Sequence, residues 1–148
     1  MQPRQTMSRK RARQRGQAMV ESALVLIVTL SILIGTCDFG QFLFLHQSLT
    51  ERVRAAARYG AVRAYTWPGT EMLNVAVYND PNPPNGANSI VPGLDTSMVT
   101  AEIIGEGTDA ARVRVSINNF PFSFFSPWIA QHATARAIIA SVPYEHGP

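Results

Sequence analysis

Between Glu21 and Asp38 the chain carries no charged side chain for 16 residues, and it is apolar from Ala23 to Cys37. Six basic residues precede this stretch within the first 16 positions (Arg4, Arg9, Lys10, Arg11, Arg13 and Arg15), with no acid among them. A bilayer core needs about 20 mostly apolar residues of helix. The uncharged stretch is short of that alone, but a span from Gln17 to Leu45 adds Phe39, Phe42, Leu43 and Phe44 and is long enough. It takes in one acid near its start, Glu21, and another towards its far end, Asp38. Positive charge ahead of such a span keeps that side in the cytoplasm. The pattern predicts a single-pass membrane protein with its N-terminus inside and its C-terminal part outside.

The remaining composition narrows the function classes. The net charge of +3 and the pI near 9.5 would suit a polyanion partner. From Gln17 onward, however, 7 Arg stand against 10 Asp and Glu, a net of −3. The basicity is therefore a topology signal in a short leader, and nucleic acid is not an expected partner. A hydrophobic share of 46% excludes a disordered tail. The single cysteine, Cys37, excludes an internal disulfide framework.

Several kinds of leader fit a basic run before an apolar helix. A secretory signal would be cut after small residues such as Gly35 and Thr36. A lipoprotein signal would use Cys37 after Ile34-Gly35-Thr36, and an uncleaved anchor would keep the whole leader. A fourth reading starts from Gly16-Gln-Ala-Met-Val-Glu21, where a glycine closes the basic run and a glutamate stands fifth after it. That pattern, followed by Ser22-Ala-Leu-Val-Leu, Asp38-Phe39-Gly40, Leu49-Thr50 and Ala55-Ala-Ala-Arg-Tyr-Gly-Ala61, resembles the TadE-like family of pilin-related proteins. The likeness is close over about residues 10–65 and looser beyond, around Pro121 and Ala133–Ala140.

The resemblance implies a type IV prepilin leader, cut between Gly16 and Gln17 on the cytoplasmic face of a bacterial inner membrane by a prepilin peptidase. It implies that Glu21 packs between subunits, its carboxylate meeting the free N-terminal amine of a neighbour. A lone carboxylate in hydrocarbon is expensive and needs such a partner. Glu21 near a helix start also suits the positive end of the helix dipole. Ser22 stands where the family often has an aromatic residue, and Gln17 where pilins favour Phe, which points to a minor component. Implied partners are other pilins or pseudopilins, the membrane assembly platform and membrane lipid.

Beyond the span, Phe42, Leu45, Leu49, Val53, Ala56 and Gly60 recur every three or four residues, while Glu51, Arg52, Arg54, Arg58 and Arg63 lie mostly off that stripe. No proline occurs between Pro3 and Pro68, so one helix is expected over 17–64, about 70 Å long at 1.5 Å per residue. Its later part, from Val53, should pack on the protein's own sheet, and its membrane half on partner helices. Trp67-Pro-Gly69 should end it, with Thr70 capping a short helix to Tyr78. Asn79-Asp-Pro-Asn-Pro-Pro-Asn-Gly86 reads as a loop; its prolines argue against a calcium loop at Asp80. Met98–Ile104 and Ala111–Ile117 form a hairpin pattern around Gly105-Glu-Gly107, and 133–142 reads as a further strand. Phe120–Trp128 is an aromatic loop, either a core plug or a sticky patch.

The expected fold class is therefore α+β, a long N-terminal transmembrane helix followed by a small antiparallel sheet, as in pilins. The expected divisions are a leader over 1–16, the membrane helix over 17–45, its continuation over 46–66 and an extracytoplasmic domain over 67–148. His46, His132 and His146 are scattered, and the acids Asp95, Glu102, Glu106 and Asp109 surround a hairpin where solvated carboxylates are normal. No catalytic residue, metal site or cofactor is expected. Two functions remain: a TadE-like minor pilin or pseudopilin of a type IVb (Flp, tight-adherence) pilus or related secretion apparatus, and a membrane-tethered or lipoprotein-type binding domain. The first would serve adhesion and surface colonisation.

Overall fold

The computed structural model describes residues 5–62, 69–126 and 132–144. The chain divides into two units, Met1–Phe39 and Gly40–Pro148. One helix, α1 (Gln5–Val62), enters both. It begins inside the basic leader instead of at Gln17, because nothing between Pro3 and Pro68 removes a backbone donor. Its last described residue is Val62, so the expected stop at Trp67 and Pro68 lies outside the described residues.

The first unit is helix alone. From Gly16 to Leu30 every side chain is exposed, including Met19, Val20, Leu24, Val25, Leu26, Ile27 and Val28. Its hydroxyls turn back on the helix: Thr29, Ser31 and Thr36 each donate to the carbonyl four residues earlier, at 2.8 Å. That leaves no polar side-chain donor pointing away from the apolar surface at these positions.

The second unit has a real core. On α1, Leu49, Val53, Ala56, Ala57 and Ala61 are buried, and Phe42 and Leu45 pack partly against them, as the stripe predicts. The helix α2 (Thr70–Tyr78) adds Met72, Val75, Ala76 and Val77. A single 3-10 turn (Thr96–Met98) then leads into β1 (Val99–Ile104), which pairs antiparallel with β2 (Arg112–Ile117) from Val99↔Ile117 to Ile104↔Arg112. Val113, Val115 and Ile117 face the core, while Arg112 and Arg114 face out. The solvent side of this hairpin is held by Arg114 to Glu102 at 3.2 Å and by the Thr100 and Ser116 hydroxyls at 2.6 Å.

Three expectations are corrected. Thr70 is not the cap of α2: Gly69 holds that place in an extended conformation, and Thr70 is the first helical residue, with no side-chain cap bond. The strand expected over 133–142 is two strands in two sheets. Here β3 (Pro121–Ser123) pairs with β4 (His132–Thr134), and β5 (Ile138–Pro143) pairs with β2, giving the order β1-β2-β5. The amide of Ala135 donates to the carbonyl of Phe120, which turns the chain between them. Third, the aromatic segment is not all loop, since it contributes β3. Phe120 and Phe122 are buried with rings in an edge contact at 5.3 Å, Phe125 is exposed, and Trp128 lies outside the described residues.

Gly60 sets how closely α1 meets its neighbours. A Cβ there would stand 2.6 Å from both Sδ and Cε of Met72 and 3.2 Å from Cγ1 of Val113, all in the core. At Gly40 it would meet nothing within 4 Å. Gly60→Val should therefore overpack the core and cost about 1–3 kcal/mol. Gly40→Val should leave the unfolding midpoint of the detergent-solubilised chain nearly unchanged.

Asp95 caps the 3-10 turn. Its Oδ1 accepts the Ser97 backbone amide at 2.8 Å. That bond first, and a side-chain bond from Ser97 second, hold its carboxyl below the ordinary 3.8 against a smaller opposing effect of burial. The cap stabilises the fold above the unfolded-state value and is lost as the pH falls through the lower folded-state value. Denaturant unfolding of Asp95→Ala and the parent chain should thus show a gap that is constant above about pH 5 and closes below about pH 4.

Candidate functional site

The predicted processing residues fall on an uninterrupted helix. Gly16 and Gln17 are exposed, and a Cβ at Gly16 would touch nothing within 4 Å. Glu21 follows Gly16 by five residues, a rise of about 7.5 Å along the axis. Its side chain is exposed and makes no hydrogen bond or salt bridge among the described residues. The three residues thus share one stretch of bare helix, with the uncharged apolar surface beginning just after Glu21. A bare carboxylate at the head of an apolar helix can take a cationic partner from outside the chain.

At the far end of that surface stands a residue whose role the sequence does not reveal. Asp38 is buried, 2% exposed, while its neighbours Cys37 and Phe39 are exposed. Sequence alone marks it only as the end of an uncharged run, since burial of one helix position among exposed ones has no local signature.

The acids around the hairpin stand apart from one another. Glu102 pairs with Arg114, Asp95 caps the 3-10 turn, and Glu106 and Asp109 are exposed in the hairpin turn. Asp80 accepts the Asn82 amide at 2.9 Å and so shapes its own loop. Among the described residues no three His, Cys, Asp or Glu side chains gather as metal ligands would. His132 and His146 cannot be placed as side chains; His46 stacks on Phe42 at 6.1 Å between ring centres.

The second unit holds a groove of about 590 Å³, lined by Phe42, His46 and Thr50 of α1, by Phe122, and by Thr134–Ile139. Phe42 and Phe122 meet at 5.1 Å, 52° apart, on its floor. The sequence did not disclose it, because its walls come from three segments that only the sheet change at Ala135 brings together.

Comparison with known proteins turns on the helix. The family model described as TadE-like protein matches residues 16–58. Residues 16–58 are a TadE-like segment. The match opens on Gly16, runs through Glu21 and Asp38, and ends on α1, leaving the sheet outside it. No curated protein and no solved structure matches the chain.

One helix, within Gly16–Val62, is long and apolar enough to cross a membrane. With the TadE-like match it supports a Tad-pilus-associated membrane protein. Arginine near a bilayer centre costs about 2.5–3.5 kcal/mol per residue on insertion. The chain should accordingly stay in the membrane pellet after alkaline carbonate extraction, and the pair Ile27→Arg with Leu30→Arg should move it largely to the supernatant.

Proposed function

We propose that this chain is a minor pilin or pseudopilin of a type IVb (Flp, tight-adherence) pilus or its related secretion apparatus. It sits in the bacterial inner membrane through residues 17–45, with its N-terminus in the cytoplasm and residues 67–148 outside. A prepilin peptidase hydrolyses the Gly16–Gln17 bond, and the new Gln17 amine remains at the head of the apolar helix. The reading is supported most directly by the placement of Gly16 and an unpaired Glu21 on exposed helix at the start of the TadE-like segment.

The physical logic follows from charge. Removing the basic leader deletes six cations and creates one amine within about a turn and a half of Glu21. Both groups are costly in hydrocarbon alone and cheaper together. Pairing the amine of one subunit with Glu21 of the next lowers that cost as subunits associate, which favours association inside the membrane. Other pilins and the assembly platform are the partners in this reading. The protein's work is packing and not catalysis, and the second unit is carried to the outside to serve adhesion or surface colonisation.

The N-terminal sequence and intact mass of the chain extracted from a host with the matching peptidase test this. Loss of residues 1–16 with Gln17 first is expected, and Gly16→Leu should retain the full leader. A chain beginning at a lipid-modified Cys37 would make it a lipoprotein-type binding domain instead and overturn the pilin reading.

A further inference from the structure

The groove of the second unit carries more than its shape. Its floor is apolar, with Phe42, Phe122 and Ile138, whereas its rim holds His46, Thr50 and Arg136. No acid is among the described residues that line it, in a unit that holds 8 acids and 7 arginines. Arg136 is exposed and forms no ion pair among the described residues. A volume of about 590 Å³ falls within the usual range of small-ligand pockets, about 300–1,000 Å³. The residue numbers on α1 add a location: Phe42 lies in the last turn of the proposed membrane segment, and His46 is the first residue past it. An apolar trough with an unpaired arginine at its rim at that height matches one ligand chemistry, an amphipathic anion.

We propose that this groove binds an anionic phospholipid, with the phosphate at Arg136 and His46 and one acyl chain along Phe42, Phe122 and Ile138. The site rests on the membrane seating of α1 proposed above. Thr134 supplies a hydroxyl to the headgroup, while that of Thr50 is donated to the His46 carbonyl at 2.8 Å. An arginine beside an anionic lipid surface is worth about fivefold in binding. The bound lipid fills a trough that would otherwise leave aromatic surface uncovered at the boundary, and so ties the second unit to the leaflet outside α1.

Native mass spectrometry of the full chain in detergent tests the site, with phosphatidylglycerol and phosphatidylcholine of identical acyl chains offered at equal concentration. Phosphatidylglycerol should be retained about fivefold more than phosphatidylcholine. Arg136→Gln, at an exposed position that leaves the core intact, should bring the two close to parity. Arg112→Gln, on the solvent face of β2, should keep the preference. An equimolar glycerol phosphate competitor should not displace the lipid. Equal retention of the two lipids, an equal loss in Arg112→Gln, displacement by glycerol phosphate, or a lipid-free dimer filling the groove would each overturn the proposal. Carbonate extraction of the host membranes, before detergent is added, separates the two readings: a chain that stays in the pellet without the lipid preference refutes the groove alone, and a chain that is extracted refutes the seating.

Discussion

A single helix with two different surroundings governs this protein. Over 16–39 α1 presents large apolar side chains outward, and over 49–61 it presents small and medium ones, Leu49, Val53, Ala56, Ala57, Gly60 and Ala61, to a packed core. The backbone does not change between them. Away from the ends of α1 each peptide group is satisfied along the helix, which is the condition for a segment to leave water at all. What changes is side-chain size. Large residues supply apolar surface for a solvent of hydrocarbon, while alanine and glycine let α2 and the sheet approach closely. Thr29, Ser31 and Thr36 show the same logic at finer grain, since each hydroxyl is returned to the helix's own carbonyls.

The second unit is built on that alanine-rich face. Close approach at Gly60 seats Met72 of α2 and Val113 of β2 together, and the period-two alternation of β2 then fixes which side of the sheet is wet. Because β2 is the central strand, its register determines both neighbours: β1 through Val99↔Ile117 and β5 through Ile117↔Ile138. The charges left outside, Glu102 and Arg114, pair across strands in solvent, where such a pair contributes little to stability. The core rests on volume and area, not on its ion pairs.

Much of this was legible in the residues. The stripe from Phe42 to Gly60, the hairpin around Gly105 and Gly107, and the helix over 70–78 follow from periodicity and turn chemistry, which act within a few residues. The TadE-like pattern matched over 16–58 was legible as well, because its signal is spacing within one segment. The misread places share a different property. Thr70 yields the cap to Gly69 because its backbone turns helical one residue early. The strand expected over 133–142 splits at Ala135–Ala137 because its two halves pair with different strands, β4 with β3 and β5 with β2. The groove exists for the same reason, since its lining comes from segments far apart in the sequence. Long-range contacts decide them, and a local pattern does not record long-range contacts.

The placement of charge separates what net charge conflates. The leader's cations make the chain basic on paper, yet they precede the proposed cleavage point and set orientation only. What remains is acidic by three charges, but Glu21 and Asp38 belong to the first unit, and the second holds 8 acids against 7 arginines. With the two signs so nearly balanced, an arginine stands out only where acids are absent, as they are among the described residues lining the groove. That place has its floor on the last turn of the apolar helix. An arginine with no acid beside it, as Arg136 is in the groove, attracts anionic headgroups within a Debye length. In the proposed seating the groove and the helix serve one boundary: the helix would meet hydrocarbon with its uncharged stretch, and the groove would meet headgroups at Arg136.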